Sequence, residues 1–239
     1  MQENNNSTYF KHTSPDYSQE LEKLHQQLVS MAVEVLQQVT NAFTSLLENN
    51  IQLAKQVMKN DQRINDSEKR IDSHIITTIA LRQPAARDLR MLVSGLKLIQ
   101  DLERIGDEAK RFASISAFII DDQMADSAKP LSELSELVTH RLQKSCHALS
   151  SLSLSDALIQ LRKDSEIEIE LRNQTNNLVK LLKDFPEHAW TYLRLSNCIR
   201  SCERISDHCS NICEYIVYEV QGLDVRHLGN QSEVPTKNS

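Results

Sequence analysis

The chain has 239 residues, 40% hydrophobic and 25% charged, enough to bury a core in one large domain or two small ones, and only 4 Gly and 5 Pro interrupt it. Its 27 basic and 33 acidic residues leave a net charge of −6, without the basic excess that binding to nucleic-acid phosphates draws on, so direct contact with nucleic acid is not expected. No stretch reaches the roughly 18 apolar residues of a membrane span, and the first residues show no basic segment followed by an apolar run, so a cytoplasmic protein without membrane insertion is expected.

Taken in chain order, apolar residues recur at three- and four-residue spacing over 17–47, 51–82, 86–120, 130–152, 155–183 and 187–221, which predicts six amphipathic helices. The breaks fall at residues 48–50, at Gln83 and Pro84, in the polar run from Asp121 to Pro130, at 153–155, and at Phe185 and Pro186, since proline disfavours the helical state of the residue before it. Gly222 has the position of a C-terminal helix cap. Residues 1–14 and 230–239 read as loose tails. Cys198, Cys202, Cys209 and Cys213 follow a 4, 7, 4 spacing along one stripe of the last helix. With Cys146 they make an odd number and lack the paired loop spacing of a zinc site, so they read as small buried hydrophobes.

The two halves repeat one another. Residues 101–107, DLERIGD, match 201–207, SCERISD, at an offset of 100, and Ala54 to Asp61 matches Ala157 to Asp164 at an offset of 103. Generic amphipathic helices share apolar positions but not a common Glu-Arg-Ile-x-Asp. The fold class expected is therefore all-α, two tandem three-helix bundles related by internal duplication, over residues 15–122 and 128–225.

Acidic residues sit where the helical stripes predict core. Asp61 lies in a seam with Ala54, Val57, Ile64 and Ile71, and Glu103 and Asp107 are one turn apart beside Leu96, Ile99 and Leu102. The second copy repeats this with Asp164 and Glu168 on one helix and Glu203 and Asp207 on the next. Folding each pair of helices back at its proline, with equal rise per residue, sets Asp61 level with Asp107 and Asn65 level with Glu103 about Pro84. The same construction about residues 185–186 sets Asp164 level with Asp207 and Glu168 level with Glu203. Inward carboxylates need protons, basic partners or cations. Spacing alone leaves metal ions and salt bridges to Arg104, Arg111, Arg200 or Arg204 as equal readings.

Residues 83–90 (QPAARDLR), 101–107, 203–207 and 211–215 (NICEY) together resemble the PhoU family, the phosphate-uptake regulators of bacteria, in colinear order over about 18–229. The ending 222–229 (GLDVRHLG) resembles its proteobacterial members. The resemblance implies two three-helix bundles with metal-binding acid pairs, carried here by Asp61, Glu103 and Asp107 and by Asp164, Glu168, Glu203 and Asp207, for iron, manganese, magnesium or zinc. Asn65 stands where many members carry an acid, making the first site one charge poorer, and Ser206 replaces a glycine. It also implies a homodimeric negative regulator of the phosphate-starvation response and of phosphate uptake. That regulator links the ATP-binding subunit of the phosphate ABC transporter to a sensor histidine kinase, and no enzyme activity is implied. Two rivals use similar parts. A ferritin-like di-iron enzyme needs Glu-x-x-His on two helices, and the chain offers only Glu22 and His25, with His25 expected on a helix surface. A histidine phosphotransfer protein could use His74, His140 or His147.

Overall fold

In the computed structural model, residues 15–121, 124–162 and 164–225 are described. The elements are α1 (Pro15–Leu47), α2 (Ile51–Arg82), α3 (Ala86–Asp121), a 3-10 segment (Ala125–Leu131), α4 (Ser132–Ser151), α5 (Leu154–Arg162), α6 (Asp164–Asp184), a 3-10 turn (Pro186–His188) and α7 (Ala189–Gln221). Among the described residues there is no strand.

The local chemistry explains the boundaries. Asn50 caps α2 by accepting from the Leu53 N–H at 3.0 Å, which satisfies one of the donors a helix start leaves orphaned. At the other end Gln83 turns left-handed (φ 47°) and its N–H closes on the Ile79 carbonyl, just before Pro84 stops the helix. Gly222 ends α7 in the left-handed state (φ 71°), its N–H on the Tyr218 carbonyl at 2.8 Å. One feature departs from the sequence pattern: part of the polar run before α4 is a 3-10 helix that contains Pro130. The segment expected as helical over 155–183 is helical on both sides of residue 163, as α5 and α6.

The α2–α3 hairpin has the register the proline implied. A Cβ on Gly106 would lie 3.0 Å from Ile64 Cδ1, and one on Gly95 would lie 3.1 Å from Ile75 Cδ1, two pairs symmetric about residue 85. The missing side chains let the helices approach closely at both levels. α1 closes one side of this hairpin with Leu21, Leu24 and Leu28, and Phe43 meets Phe112 edge to face at 4.8 Å.

The helices form two layers. α2, α3, α7 and the α5–α6 pair lie side by side in that order, and α1 and α4 pack together on one face of them. Helices α3 and α7 run antiparallel at the centre, joined by buried polar groups. Asp101 accepts from His208 Nδ1 at 2.6 Å, Asn211 Nδ2 at 3.0 Å and the Tyr215 hydroxyl at 2.7 Å. Glu108 accepts from Ser201 Oγ at 2.8 Å and Arg204 Nη1 at 2.7 Å. At the repeat offset of 100, position 101 corresponds to 201 and 108 to 208. Each repeat thus offers the same two positions to the other, the pattern of an isologous contact about a pseudo-twofold axis. The fold is all-α, two tandem three-helix bundles related by duplication.

Candidate acidic site

One face of the four-helix layer is covered by α1 and α4; Asp61 meets α1 there, and Asp107, Glu168, Glu203 and Asp207 are exposed. In the first repeat, Asp61 is almost fully buried (2% exposed), Glu103 is half-buried and Asp107 is exposed. Their proximity shows in their charges. Burial raises the Glu103 carboxyl above its usual range, and Asp107, Glu68 and Asp61 push it further. Asp107 is raised by burial and then by Asp61, with Lys110 opposing. Glu103 thus feels Asp107, Glu68 and Asp61, and Asp107 feels Asp61.

What neutralises Asp61 is a lysine, not one of the arginines considered. Lys110 Nζ lies 2.7 Å from Asp61 Oδ2, and Gln38 Nε2 donates to Asp61 Oδ1 at 3.4 Å. Lys110 is three residues after Asp107 and so shares its face, a signal available in the sequence. The arginines go elsewhere. Arg204 and Arg111 both reach Glu108, at 2.7 and 3.7 Å.

Asn65, on α2 one turn after Asp61, has a buried Oδ1 that accepts no hydrogen bond, an uncommon state for an amide oxygen. A carbonyl oxygen and carboxylates are ligands that suit a hard cation. Among the described residues, however, no three His, Cys, Asp or Glu side chains are drawn into a ready-made metal centre.

In the second repeat Glu203 and Asp207 are exposed on α7, and Glu168 is exposed on α6, 3.7 Å from Arg172. The side chain of Asp164 lies outside the described residues. The expectation that these carboxylates point inward is thus corrected, as it is for Asp107. Two antiparallel helices share an interface with two faces, and a three-helix bundle covers only one of them. Stripe arithmetic placed the acids near the interface without saying which face they occupy.

His25 is also corrected. It is buried, not on a helix surface, with Nε2 3.4 Å from the Ser150 carbonyl where α1 meets α4. Burial is the main reason its pKa is lowered. All five cysteines are buried as free thiols. The Asp101 and Glu108 clusters were missed by the sequence reading. Their signal is a mismatch: within the repeat, Asp101 aligns with Ser201 and Glu108 with His208, so charge differs at two positions flanking the shared Glu-Arg-Ile-x-Asp.

Comparison with known proteins places this arrangement. The chain matches the PhoU domain over residues 28–116 and again over 131–216. It is 34% identical over 219 residues to the phosphate-specific transport system accessory protein PhoU of Edwardsiella tarda, covering 92% of this chain and 90% of that protein. It is 32% identical to the protein of the same name from Escherichia coli K12, covering 92% and 91%. The crystal structure of PhoU from Pseudomonas aeruginosa superposes with a TM-score of 0.81 at 31% identity, covering 87% of this chain and 100% of that one. The phosphate transport system regulatory protein PhoU from Streptococcus pneumoniae gives 0.79 at 26% identity, covering 86% and 97%.

Proposed function

Because the chain belongs to the PhoU family, we propose that it is an accessory, regulatory protein of a phosphate-specific transport system that works by contact and not by catalysis. The observation that carries this reading is the double match to the PhoU domain, together with relatives named for that role that align over about nine-tenths of their length. In this role the protein holds the phosphate-starvation response and phosphate uptake down when phosphate is plentiful. It does so as a cytoplasmic homodimer between the transporter's ATP-binding subunit and a sensor histidine kinase. That no described helix is long and apolar enough to cross a membrane accords with this role.

The acidic face is proposed to bind metal. In the first repeat Asp61, Asn65, Glu103 and Asp107 would hold the ion, and in the second Asp164, Glu168, Glu203 and Asp207. Iron, manganese, magnesium or zinc would supply positive charge where carboxylates crowd one another, and so tie α2 to α3 and α6 to α7. Support comes from the unused Asn65 oxygen and from the raised Glu103 and Asp107 carboxyls. Lys110 competes for Asp61.

Deletion in the native host tests the regulatory role, and phosphate-response genes that stay repressed in rich phosphate would refute it. Retention of neither the kinase's cytoplasmic region nor the ATP-binding subunit by the purified protein would refute the adaptor role. Metal content measured by native mass spectrometry should fall when Glu103→Gln and Asp107→Asn are combined, and again with Glu203→Gln and Asp207→Asn. Unchanged content in both doublets would show the acids to be structural.

A further inference from the structure

The second hairpin carries a surface that none of this uses. Helix α4 has 20 residues where its counterpart α1 has 33, so it is about 20 Å shorter at 1.5 Å per residue. The tip of the α6–α7 hairpin therefore extends past its covering helix. Leu178 and Leu181 are only half-buried, whereas Ile75 and Thr78 at the matching positions of the first repeat are 1% and 0% exposed. On the outer face a groove is lined by Leu178, Val179, Leu182, Tyr192 and Leu193. Val179, Leu182 and Leu193 are 47%, 40% and 53% exposed, and Trp190 at the tip is 77% exposed.

We propose that this groove receives an acidic amphipathic helix of a partner protein. Its walls are ridges at i, i+4, i+7 spacing (Thr175, Val179 and Leu182 on α6, Ala189, Leu193 and Ser196 on α7), the relief into which a third helix packs. The charge that would select the partner is basic. Residues 172–200 carry Arg172, Lys180, Lys183, Arg194 and Arg200 against Asp184 and Glu187, in a chain whose net charge is −6. Arg172 and Arg200 are exposed, Arg172 within 3.7 Å of Glu168, and Lys180 and Lys183 lie on α6 between Arg172 and the hairpin tip. A second copy docked finger to finger would set basic rim against basic rim, which costs energy. The outermost described residues of the chain start away from the groove. Tyr17 bonds Asp88 at 3.2 Å, and a Cβ on Gly222 would lie 3.4 Å from Arg90 Cζ, so both Pro15 and Val225 sit by the first hairpin tip. The length of α7, about 50 Å for 33 residues, separates that end from the groove.

Trp190 is the only tryptophan of the chain, so its emission reports on the finger alone. The probe is a helical peptide of about five turns (roughly 18 residues), with leucines at three- and four-residue spacing and glutamates elsewhere. Its lysine counterpart is the control. The glutamate peptide should give a saturable blue shift that weakens with added salt. Leu193→Glu and, separately, Val179→Glu should each weaken it by about tenfold or more. Both side chains are exposed, and unchanged far-UV circular dichroism would show the helices intact. The proposal fails if no saturable shift appears up to millimolar peptide, if the lysine peptide binds equally well, or if neither variant weakens binding. It also fails if Trp190 shifts with protein concentration alone as the mass doubles, which would make a second copy the occupant.

Discussion

Replacing Asp101 by alanine tests what holds the two repeats together. The carboxylate is 3% exposed and takes hydrogen bonds from three α7 side chains, at 2.6, 3.0 and 2.7 Å. A hydrogen bond to a charged group contributes about 1.5–3 kcal/mol, but three that share one acceptor do not add. Breaking a buried charged network at one partner costs about 3–5 kcal/mol, because the remaining groups stay buried and unpaired. That range is the expectation for Asp101→Ala, a large share of the roughly 5–15 kcal/mol typical of a folded domain. Tyr215→Phe keeps the ring and loses one bond, for about 1.5–2 kcal/mol. The double variant should fall short of additivity by about 1 kcal/mol or more. Urea unfolding followed by far-UV circular dichroism measures all three. The pH dependence has a definite sign. Burial alone would raise the Asp101 carboxyl, but the bonds from His208, Asn211 and Tyr215 outweigh it and hold the pKa below the usual 3.8. A carboxyl depressed in the folded state contributes its full stability above the unfolded pKa and loses it as pH falls through the folded value. The gap between wild type and Asp101→Ala should therefore narrow only in acid. A cost under about 1 kcal/mol at neutral pH, or a gap that widens on acidification, would refute the reasoning.

The acid doublet Glu103→Gln with Asp107→Asn should melt slightly above wild type in chelator at neutral pH. Like charges one turn apart cost a few tenths of a kcal/mol, or about 1 °C for a chain of this size. Both carboxyls are raised in the folded state, so their destabilisation is absent in acid, grows as pH rises above the unfolded pKa and is complete above the folded values; a doublet that melts lower in chelator would contradict this. Gly106→Ala would set a Cβ 3.0 Å from Ile64 Cδ1 and 3.3 Å from its Cγ2, and Ile64 is 2% exposed. Overpacking there should outweigh alanine's better helix propensity and leave a net cost of about 1 kcal/mol, measured by urea unfolding; a more stable variant would show that the hairpin has slack. The thiols of Cys146 and Cys213 are raised to about 12 and about 11, chiefly by burial, and the other three are raised as well. A thiol reagent at mildly alkaline pH should therefore find none of the five in the native protein and all of them in denaturant, and rapid native labelling would indicate that α4 opens away from α7.

The all-helical fold and its duplication were legible because they rest on regular periods. An apolar residue every third or fourth position, a proline at each hairpin and the repeat of Glu-Arg-Ile-x-Asp are written into the chain. The hairpin register was legible to within a residue for the same reason, since rise per residue is constant: the Gly106–Ile64 and Gly95–Ile75 contacts centre on residue 85, one past Pro84. The faces of the hairpin were not legible. Whether Glu203 points to core or solvent depends on which side the covering helix takes, and that choice is made by contacts between α1, α4 and the rest, far apart in sequence. His25 was misplaced for this reason too, because its burial comes from α4, more than a hundred residues away. Lys110 escaped because only arginines were weighed as counter-charges.

The crossed contacts between positions 101 and 208 and between 108 and 201 bear on how a chain like this could have arisen. Two separate copies of a single three-helix unit, meeting about a true twofold axis, would make both contacts with one and the same pair of residues. Whatever suited one would be forced on the other. Joined in one polypeptide, the two contacts are free to diverge, and here they have. One is an aspartate ringed by a histidine, an asparagine and a tyrosine, the other a glutamate held by a serine and an arginine. Covalent fusion thus lets the two halves of a symmetric joint take different chemistry, a divergence closed to a dimer of identical halves.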